Sequence, residues 1–224
     1  MEAMKVLVVA IVAAASAVAH GGARWDEGAP RINGPRVYGV TPGREFLYAF
    51  PTCGSRDGLK FAVSGGRLPP GAALDAKTGV LSGKVEKAGE YPFEVSAANS
   101  LGSARKRFSL VVGGRRALTP PMGWTSWSAF TTDVDQELVE ATAKAIVGKG
   151  LAAHGYAYVN VDSCWQGQRN SPKNAALQPN EKFPDMGGMV KKIHALGLKA
   201  GIYSTPMVHA WGTRRERLLL GSTS

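Results

Sequence analysis

The sequence has little cysteine and, beyond its first residues, no long hydrophobic run. Only two cysteines, Cys53 and Cys164, occur in 224 residues, which excludes a disulfide framework as the organising principle of the fold. No segment after residue 19 is long and apolar enough to span a bilayer. Because the two cysteines fall in what we predict to be different domains, we expect two thiols that are not bridged to each other.

Acidic residues are scarce beside basic ones, at 17 against 27, which gives a formal net charge of +10. Such an excess can mark a nucleic-acid-binding protein. Here the excess is spread evenly over both halves of the chain, and the only dense spots are Arg105-Lys106-Arg107 and Arg214-Arg215. We therefore expect solvated surface charge and no nucleic-acid partner, while general adhesion to acidic polymers stays open.

The first 19 residues have the pattern of a signal peptide. Lys5 supplies the positive charge, residues 6–19 are small and apolar, and Ala17-Val18-Ala19 is a cleavage site with His20 as the first mature residue. The sequence thus predicts a secreted or periplasmic protein that has no membrane contact after signal cleavage.

Residues 30–113 have the pattern of a small all-β domain. Tyr91, Phe93 and Val95 share one face of a period-2 pattern, and Phe108, Leu110 and Val112 share a face in the same way. Gly- and Pro-rich turns separate short strand candidates at 36–40, 45–50, 59–63, 79–81, 91–97 and 107–112. Such spacing predicts a β-sandwich.

Two stretches of this domain resemble bacterial immunoglobulin- and cadherin-like repeats. They are LPPGAALDAKTGVLSG at 68–83 and KAGEYPFEVSAANSLG at 87–102. The resemblance implies an immunoglobulin-like spacer or weak binding module attached to an exported enzyme. No convergent polar or metal-binding set is visible in this half, so a spacer and a carbohydrate binder both stay open.

After a linker at 114–117 the hydrophobic period changes. Residues 133–149 and 186–196 have the period of amphipathic helices, and residues 156–161 and 198–203 have that of strands. This alternation predicts a parallel sheet with helical crossovers.

Three ordered motifs of this second half resemble the α-galactosidase (melibiase) glycoside hydrolases. They are LTPPMGWTSWSAF at 118–130, GYAYVNVDSCW at 155–165, and FPDM at 183–186 followed by HALGLKAGIY at 194–203. The resemblance implies a retaining glycosidase built on a (β/α)8 barrel, with 118–206 as its first three β/α units. It also implies an α-galactoside or related carbohydrate as substrate, and we expect no metal and no cofactor.

The predicted substrate-binding residues stand at the ends of predicted strands. A sugar offers a face of C–H bonds and a rim of hydroxyls, so Trp127 can stack on that face and Asp162 can accept bonds from two hydroxyls. Tyr203 ends the third strand. The resemblance implies these roles and makes Trp165 and Tyr203 walls of the pocket, whereas without it a capping role for Asp162 would be an equal alternative. Ser163 stands where the family has a second acid; it can hydrogen-bond but carries no charge, which widens the expected substrates to related pyranosides.

Two further features depart from the family pattern. Cys164 matches a family cysteine that is often bridged near the first strand, but residues 128–132 contain no partner. A full barrel of about 250 residues cannot share this chain with another domain, and the match fades after Pro206, so that 207–224 form a divergent tail. We expect an N-terminal fragment that is inactive alone, with its catalytic carboxylates downstream of Ser224.

Two other interpretations stay open. The chain could be a secreted glycan- or protein-binding module with a vestigial barrel segment. It could also be a non-functional truncation product, because three strands of a barrel leave an exposed edge and an uncovered sheet face.

Overall fold

The computed structural model describes residues 24–114, 117–167 and 177–204. The predicted signal peptide (1–19) and divergent tail (207–224) lie outside the described residues, as do residues 115 and 116 of the predicted linker. The first half consists of strands: β1 (Arg31–Ile32), β2 (Val37–Val40), β3 (Glu45–Ala49), β4 (Thr52–Cys53), β5 (Lys60–Gly66), β6 (Ala72–Leu74), β7 (Val80–Lys84), β8 (Gly89–Asn99) and β9 (Gly102–Val112).

These strands form the predicted β-sandwich. One sheet has the order β2-β9-β8-β5 and the other β3-β7-β6, while β1 and β4 form a short separate pair. The strands pair in antiparallel fashion except for β2, which runs parallel to β9. We call residues 29–113 the sandwich domain.

The core of the sandwich domain follows the alternation seen in the sequence. Phe93, Val95, Phe108 and Leu110 are all buried, and their polar neighbours point outward. Tyr48 of β3 lies across from Phe108 with ring centroids 5.0 Å apart. Aromatic residues from both sheets thus meet in one cluster, and their buried area is the main contribution to the stability of the domain.

The motif at 68–83 folds into a tight turn and the hairpin β6–β7. The Asp75 carboxylate accepts hydrogen bonds from the backbone amides of Lys77 (2.9 Å) and Thr78 (2.8 Å), and these bonds lower the pKa of Asp75. Gly79 has φ +71°, and a Cβ there would lie 2.7 Å from the ring of Phe61. The glycine is required both by the backbone angle and by the space.

The second half, residues 117–204, forms an α/β segment with a three-stranded sheet in the described residues. Its elements are β10 (Gly123–Thr125), the short helix α1 (Trp127–Phe130), α2 (Gln136–Gly148), β11 (Tyr158–Val161), α3 (Met186–Ala195) and β12 (Lys199–Ile202). The strands are parallel in the order β10-β11-β12, as the alternation of strand and helix predicts.

The two longer helices cover one face of this sheet. Each begins at an aspartate whose side chain accepts a backbone amide hydrogen bond: Asp135 from Leu138 in α2, and Asp185 from Gly188 in α3, both at 2.8 Å. Helix α2 therefore starts three residues later than predicted, and Asp133 belongs to a preceding turn of 3₁₀-helix. Buried residues of α2, α3 and β11 form the core of the segment.

The sandwich domain packs against the amino-terminal ends of the sheet strands. The Asn33 amide donates to the carbonyl of Ala153, which precedes β11, at 2.8 Å. Cys53 Sγ lies 3.7 Å from His154 Nε2. The ammonium of Lys199, the first residue of β12, lies over the ring of Tyr38 at 4.4 Å. All these α/β residues precede or begin a strand, so the carboxyl ends of the strands remain on the opposite side.

Neither cysteine forms a disulfide, and both are buried. The prediction of two unbridged thiols is thus confirmed. Within the described residues, no helix has the length and apolar character needed to cross a membrane.

Candidate functional site

A cavity opens at the carboxyl ends of the parallel strands. Its volume is 240 Å³, and residues from the ends of all three strands line it: Thr125, Asn160, Val161, Asp162, Gly201, Ile202 and Tyr203. Two of the five predicted binding residues, Asp162 and Tyr203, are among them. The carboxyl ends of parallel strands are where α/β proteins bind their ligands.

Asp162 is held at the edge of this cavity by its neighbours. Its backbone amide donates to Ser126 Oγ at 3.0 Å, and its carboxylate Oδ1 accepts the Ser163 amide at 2.7 Å. Ser126 is itself fully buried, and its amide donates to the carbonyl of Asn160. The loops after β10 and β11 are therefore joined next to the Asp162 carboxylate, which is half-buried and can accept a hydrogen bond from a hydroxyl.

Tyr203 is fixed through its backbone while its phenol ring stays accessible. Its amide donates to the Val161 carbonyl at 2.9 Å. Its own carbonyl accepts from Trp165 Nε1 at 2.7 Å and from Gln166 Nε2 at 2.9 Å. The side chain is 39% exposed, so the ring can contact a ligand while the backbone beneath it is anchored.

The other three predicted residues do not line the cavity. Trp165 is 3% exposed and Ser163 is 1% exposed, so both belong to the interior of the segment. Trp127 begins α1 and packs, half-buried, against the same core. The loop turns at Cys164, whose φ of +78° sends the next residues inward. Trp165 instead holds the backbone of Tyr203 in place, because its indole Nε1 donates a hydrogen bond to the Tyr203 carbonyl.

Five residues that line the cavity were not among the predicted binding residues: Thr125, Asn160, Val161, Gly201 and Ile202. Asn160 lies on the cavity-lining face of β11 and Gly201 pairs with it on β12. A Cβ at position 201 would overlap Asn160 Oδ1, so the glycine makes room for the amide. Ser126 holds Asp162. Asn160 is a polar residue two positions before Asp162, and residues two apart in an extended chain face the same side, which is the available sequence signal for Asn160.

The carboxylate content of the cavity limits its chemistry. Among the described residues Asp162 is the only acidic side chain that lines it. No cluster of three or more metal-ligating side chains occurs in the described ranges. The cavity is therefore equipped to bind hydroxyls through one anion, an amide and a phenol.

The fold and cavity define the described chain as a β-sandwich joined to a parallel α/β segment, with a cavity at the strand ends of that segment. The family models divide the chain in the same place. Residues 29–113 match a family described as "Putative Ig domain", and residues 119–212 match the family described as "Alpha galactosidase A". The chain thus joins a segment similar to immunoglobulin-like domains to a segment similar to part of the α-galactosidase (melibiase) domain, as the motifs predict.

Curated relatives match the α/β segment. An α-galactosidase A of Cellvibrio japonicus is 47% identical over 90 residues, which is 39% of this chain and 22% of that protein. An α-galactosidase of Coffea arabica is 42% identical over 99 residues, which is 44% of this chain and 26% of that protein. The chain therefore spans about a fifth to a quarter of the length of these relatives.

Solved structures match both domains together. A "putative alpha-galactosidase" of Bacteroides fragilis has 36% identity and a TM-score of 0.79, over 85% of this chain and 40% of that one. A "putative alpha-galactosidase/melibiase" of the same organism gives 37% identity and the same TM-score, over 84% of this chain and 40% of that one. The arrangement of the sandwich domain against the α/β segment recurs in these proteins.

Proposed function

We propose that the α/β segment forms the sugar-binding side of an α-galactosidase-type active site in an exported glycoside hydrolase. The whole enzyme would cleave terminal α-galactosyl or related pyranosyl groups with retention. One observation carries the proposal: Asp162 is fixed at a cavity at the strand ends, in the segment that matches the family.

The described residues suit a pyranose. The Asp162 carboxylate can accept hydrogen bonds from sugar hydroxyls, and the Asn160 amide can donate or accept such bonds. The Tyr203 ring offers an apolar face and a hydroxyl to the same cavity. A charged acceptor is the strongest of these groups, since hydrogen bonds to charged partners contribute about 1.5–3 kcal/mol.

The architecture proposed for the whole enzyme is the (β/α)8 barrel. The support is a sheet of parallel strands with α2 and α3 on one face and the cavity at the carboxyl ends. In such barrels the catalytic side chains come from the ends of several strands. Export is proposed from the pattern of residues 1–19 alone, which lie outside the described residues.

Bond cleavage needs more than the described residues provide. Retaining glycosidases use two carboxyl groups about 5–5.5 Å apart, whereas Asp162 is the only acidic side chain lining the cavity within the described ranges. We therefore assign Asp162 to substrate binding and leave the nucleophile and the acid/base to residues outside those described.

Calorimetric titration of the purified chain with galactose tests the proposal. We expect binding in the millimolar range, and a loss of affinity of about tenfold or more in Asp162→Asn, because the neutral amide loses the charged acceptor. Asp57→Asn, at an exposed position of the sandwich domain, is the matched control and should bind like the unchanged chain.

An arabinopyranose, which lacks the hydroxymethyl arm of galactose, tests how widely the site accepts pyranosides. If neither sugar bound, or if Asp162→Asn kept full affinity for galactose, the proposal would be refuted.

A second candidate function rests on a groove in the sandwich domain. This groove of 460 Å³ is lined by Pro92 and by the charged residues Arg36, Glu94 and Arg107, among others. Such a surface could bind a glycan. Screening the whole chain and the Arg107→Ala variant against a glycan panel distinguishes the groove from the cavity. Glycan binding in the groove should depend on Arg107 and not on Asp162.

A further inference from the structure

Lys199 lies in an aromatic cage at the boundary of the two domains. Its ammonium lies over the rings of Tyr38 at 4.4 Å, Tyr158 at 4.9 Å and Tyr48 at 5.5 Å. Tyr38 and Tyr48 belong to strands β2 and β3 of the sandwich domain, and Tyr158 pairs with Lys199 across β11 and β12. We call these four residues the Lys199 cage.

The groups that face the ammonium are all neutral phenols. Among the described residues no carboxylate forms an ion pair with Lys199, and no charged neighbour contributes to its titration. Cys53 and His154 are the titratable pair in another part of the same interface. The ring faces attract a cation, but they do not replace the water that a charged lysine loses.

Burial shifts the protonation equilibrium of Lys199 toward the neutral amine. Burial lowers the pKa of Lys199 to about 8 from its ordinary 10.5. Burial also raises the pKa of Tyr38 to about 12 and raises the pKa of Tyr48 and Tyr158. The phenols therefore keep their protons between about pH 8 and pH 10.5. In this range a lysine buried between the domains is neutral, whereas a lysine exposed to water is charged.

We propose that the Lys199 cage is a pH-responsive joint, in which uptake of a proton by Lys199 loosens the sandwich domain from the α/β segment. Separation of the domains returns the ammonium to water, where it holds its proton more firmly. The state in which the two domains are in contact therefore becomes more stable as the pH rises from about 8 to 10.5. Below about pH 8 this state carries the full free-energy cost of burying the charge.

Cys53 provides a direct measure of this separation. The thiol is 1% exposed and lies against Ala153 and His154 of the α/β segment, so a thiol reagent reaches it only when the interface opens. Cys164 lies in the core of the α/β segment and is removed as Cys164→Ala. Lys199→Met keeps the length and ring contacts of the side chain without its charge.

The experiment compares the rate at which an aromatic disulfide reagent labels Cys53, in the Cys164→Ala chain with and without Lys199→Met. Both proteins carry the same thiol, so its intrinsic reactivity cancels. We expect labelling at least tenfold slower in Lys199→Met at pH 7, since burial lowers the pKa of Lys199 by more than one unit and each unit corresponds to a tenfold change. At pH 10 the same linkage leaves a difference of about fourfold or less. Lys60→Met, at an exposed position of β5, should label like its parent at both pH values.

Equal rates at pH 7, or faster labelling of Lys199→Met, would overturn the proposal, because the ring contacts would then outweigh the cost of dehydration. Should Cys164→Ala prevent folding, thermal unfolding of the chain with Cys164 in place gives a second readout. Lys199→Met should raise the melting temperature at pH 7 and leave it unchanged at pH 10. A lower melting temperature at both pH values would also overturn the proposal.

Discussion

The indole Nε1–H of Trp165 donates to the backbone carbonyl of Tyr203 at 2.7 Å. This bond joins the loop after β11 to the end of β12, so that a fully buried side chain of one loop sets the position of an accessible ring on the next. The cavity thus depends on residues that do not line it.

Trp165→Phe should weaken the site without removing it. The phenyl ring keeps most of the buried area, while the lost hydrogen bond costs about 0.5–1.5 kcal/mol of unfolding free energy. Galactose affinity should fall about threefold, since Gln166 still donates to the same carbonyl. Urea unfolding and calorimetry measure the two effects, and unchanged values for both would show that the bond contributes nothing.

Gly201→Ala should distort the cavity. A Cβ at this position would overlap Asn160 Oδ1, and relieving such an overlap costs about 1–3 kcal/mol of unfolding free energy. Gly148→Ala is the matched control, because nothing lies within 4 Å of a Cβ at that position in helix α2. Alanine should be neutral or stabilising there. Equal stability of the two variants in urea unfolding would contradict the overlap.

Tyr48→Phe should stabilise the sandwich domain. The Tyr48 hydroxyl is buried with no hydrogen-bond partner among the described residues, and an unpaired buried polar group costs about 1–3 kcal/mol of unfolding free energy. Tyr91→Phe provides the contrast, because the Tyr91 hydroxyl donates to the Lys87 carbonyl at 2.8 Å. The melting temperature should rise in the first variant and not in the second.

The 224-residue chain should not hydrolyse a nitrophenyl α-galactoside. Asp162 is the only acidic side chain that lines the cavity in the described ranges, and retaining cleavage needs a pair. Release of nitrophenol is the measurement, with an active α-galactosidase as positive control. Turnover above background that Asp162→Asn abolishes would show that a second carboxylate of this chain reaches the site.

Much of the fold could be predicted because burial imposes a period on the sequence. Phe93 and Val95 alternate with polar residues because one sheet face is buried, and Asp135 stands where helix α2 needs an acceptor. Asp162 and Tyr203 could be predicted from their places at the ends of predicted strands together with the family resemblance of their motifs. Their placement at the cavity follows from parallel pairing alone.

The rest depends on contacts between residues far apart in the sequence. The positive φ of Cys164 turns Trp165 inward, and residue types do not show that backbone angle. From the sequence alone, Lys199 is expected to be an ordinary surface lysine at the start of a strand. Its burial is caused by Tyr38 and Tyr48, some 150 positions earlier in the chain, and no local pattern reports such a contact.

The sandwich domain and the cavity lie at opposite ends of the same strands. Strand β11 has four residues, which at about 3.3 Å per residue separates the two ends by about 13 Å. A long or branched polysaccharide could therefore approach the cavity without meeting the sandwich domain. For the same reason, a dye or an affinity tag attached to the sandwich domain, away from the groove at Arg107, stays clear of the cavity.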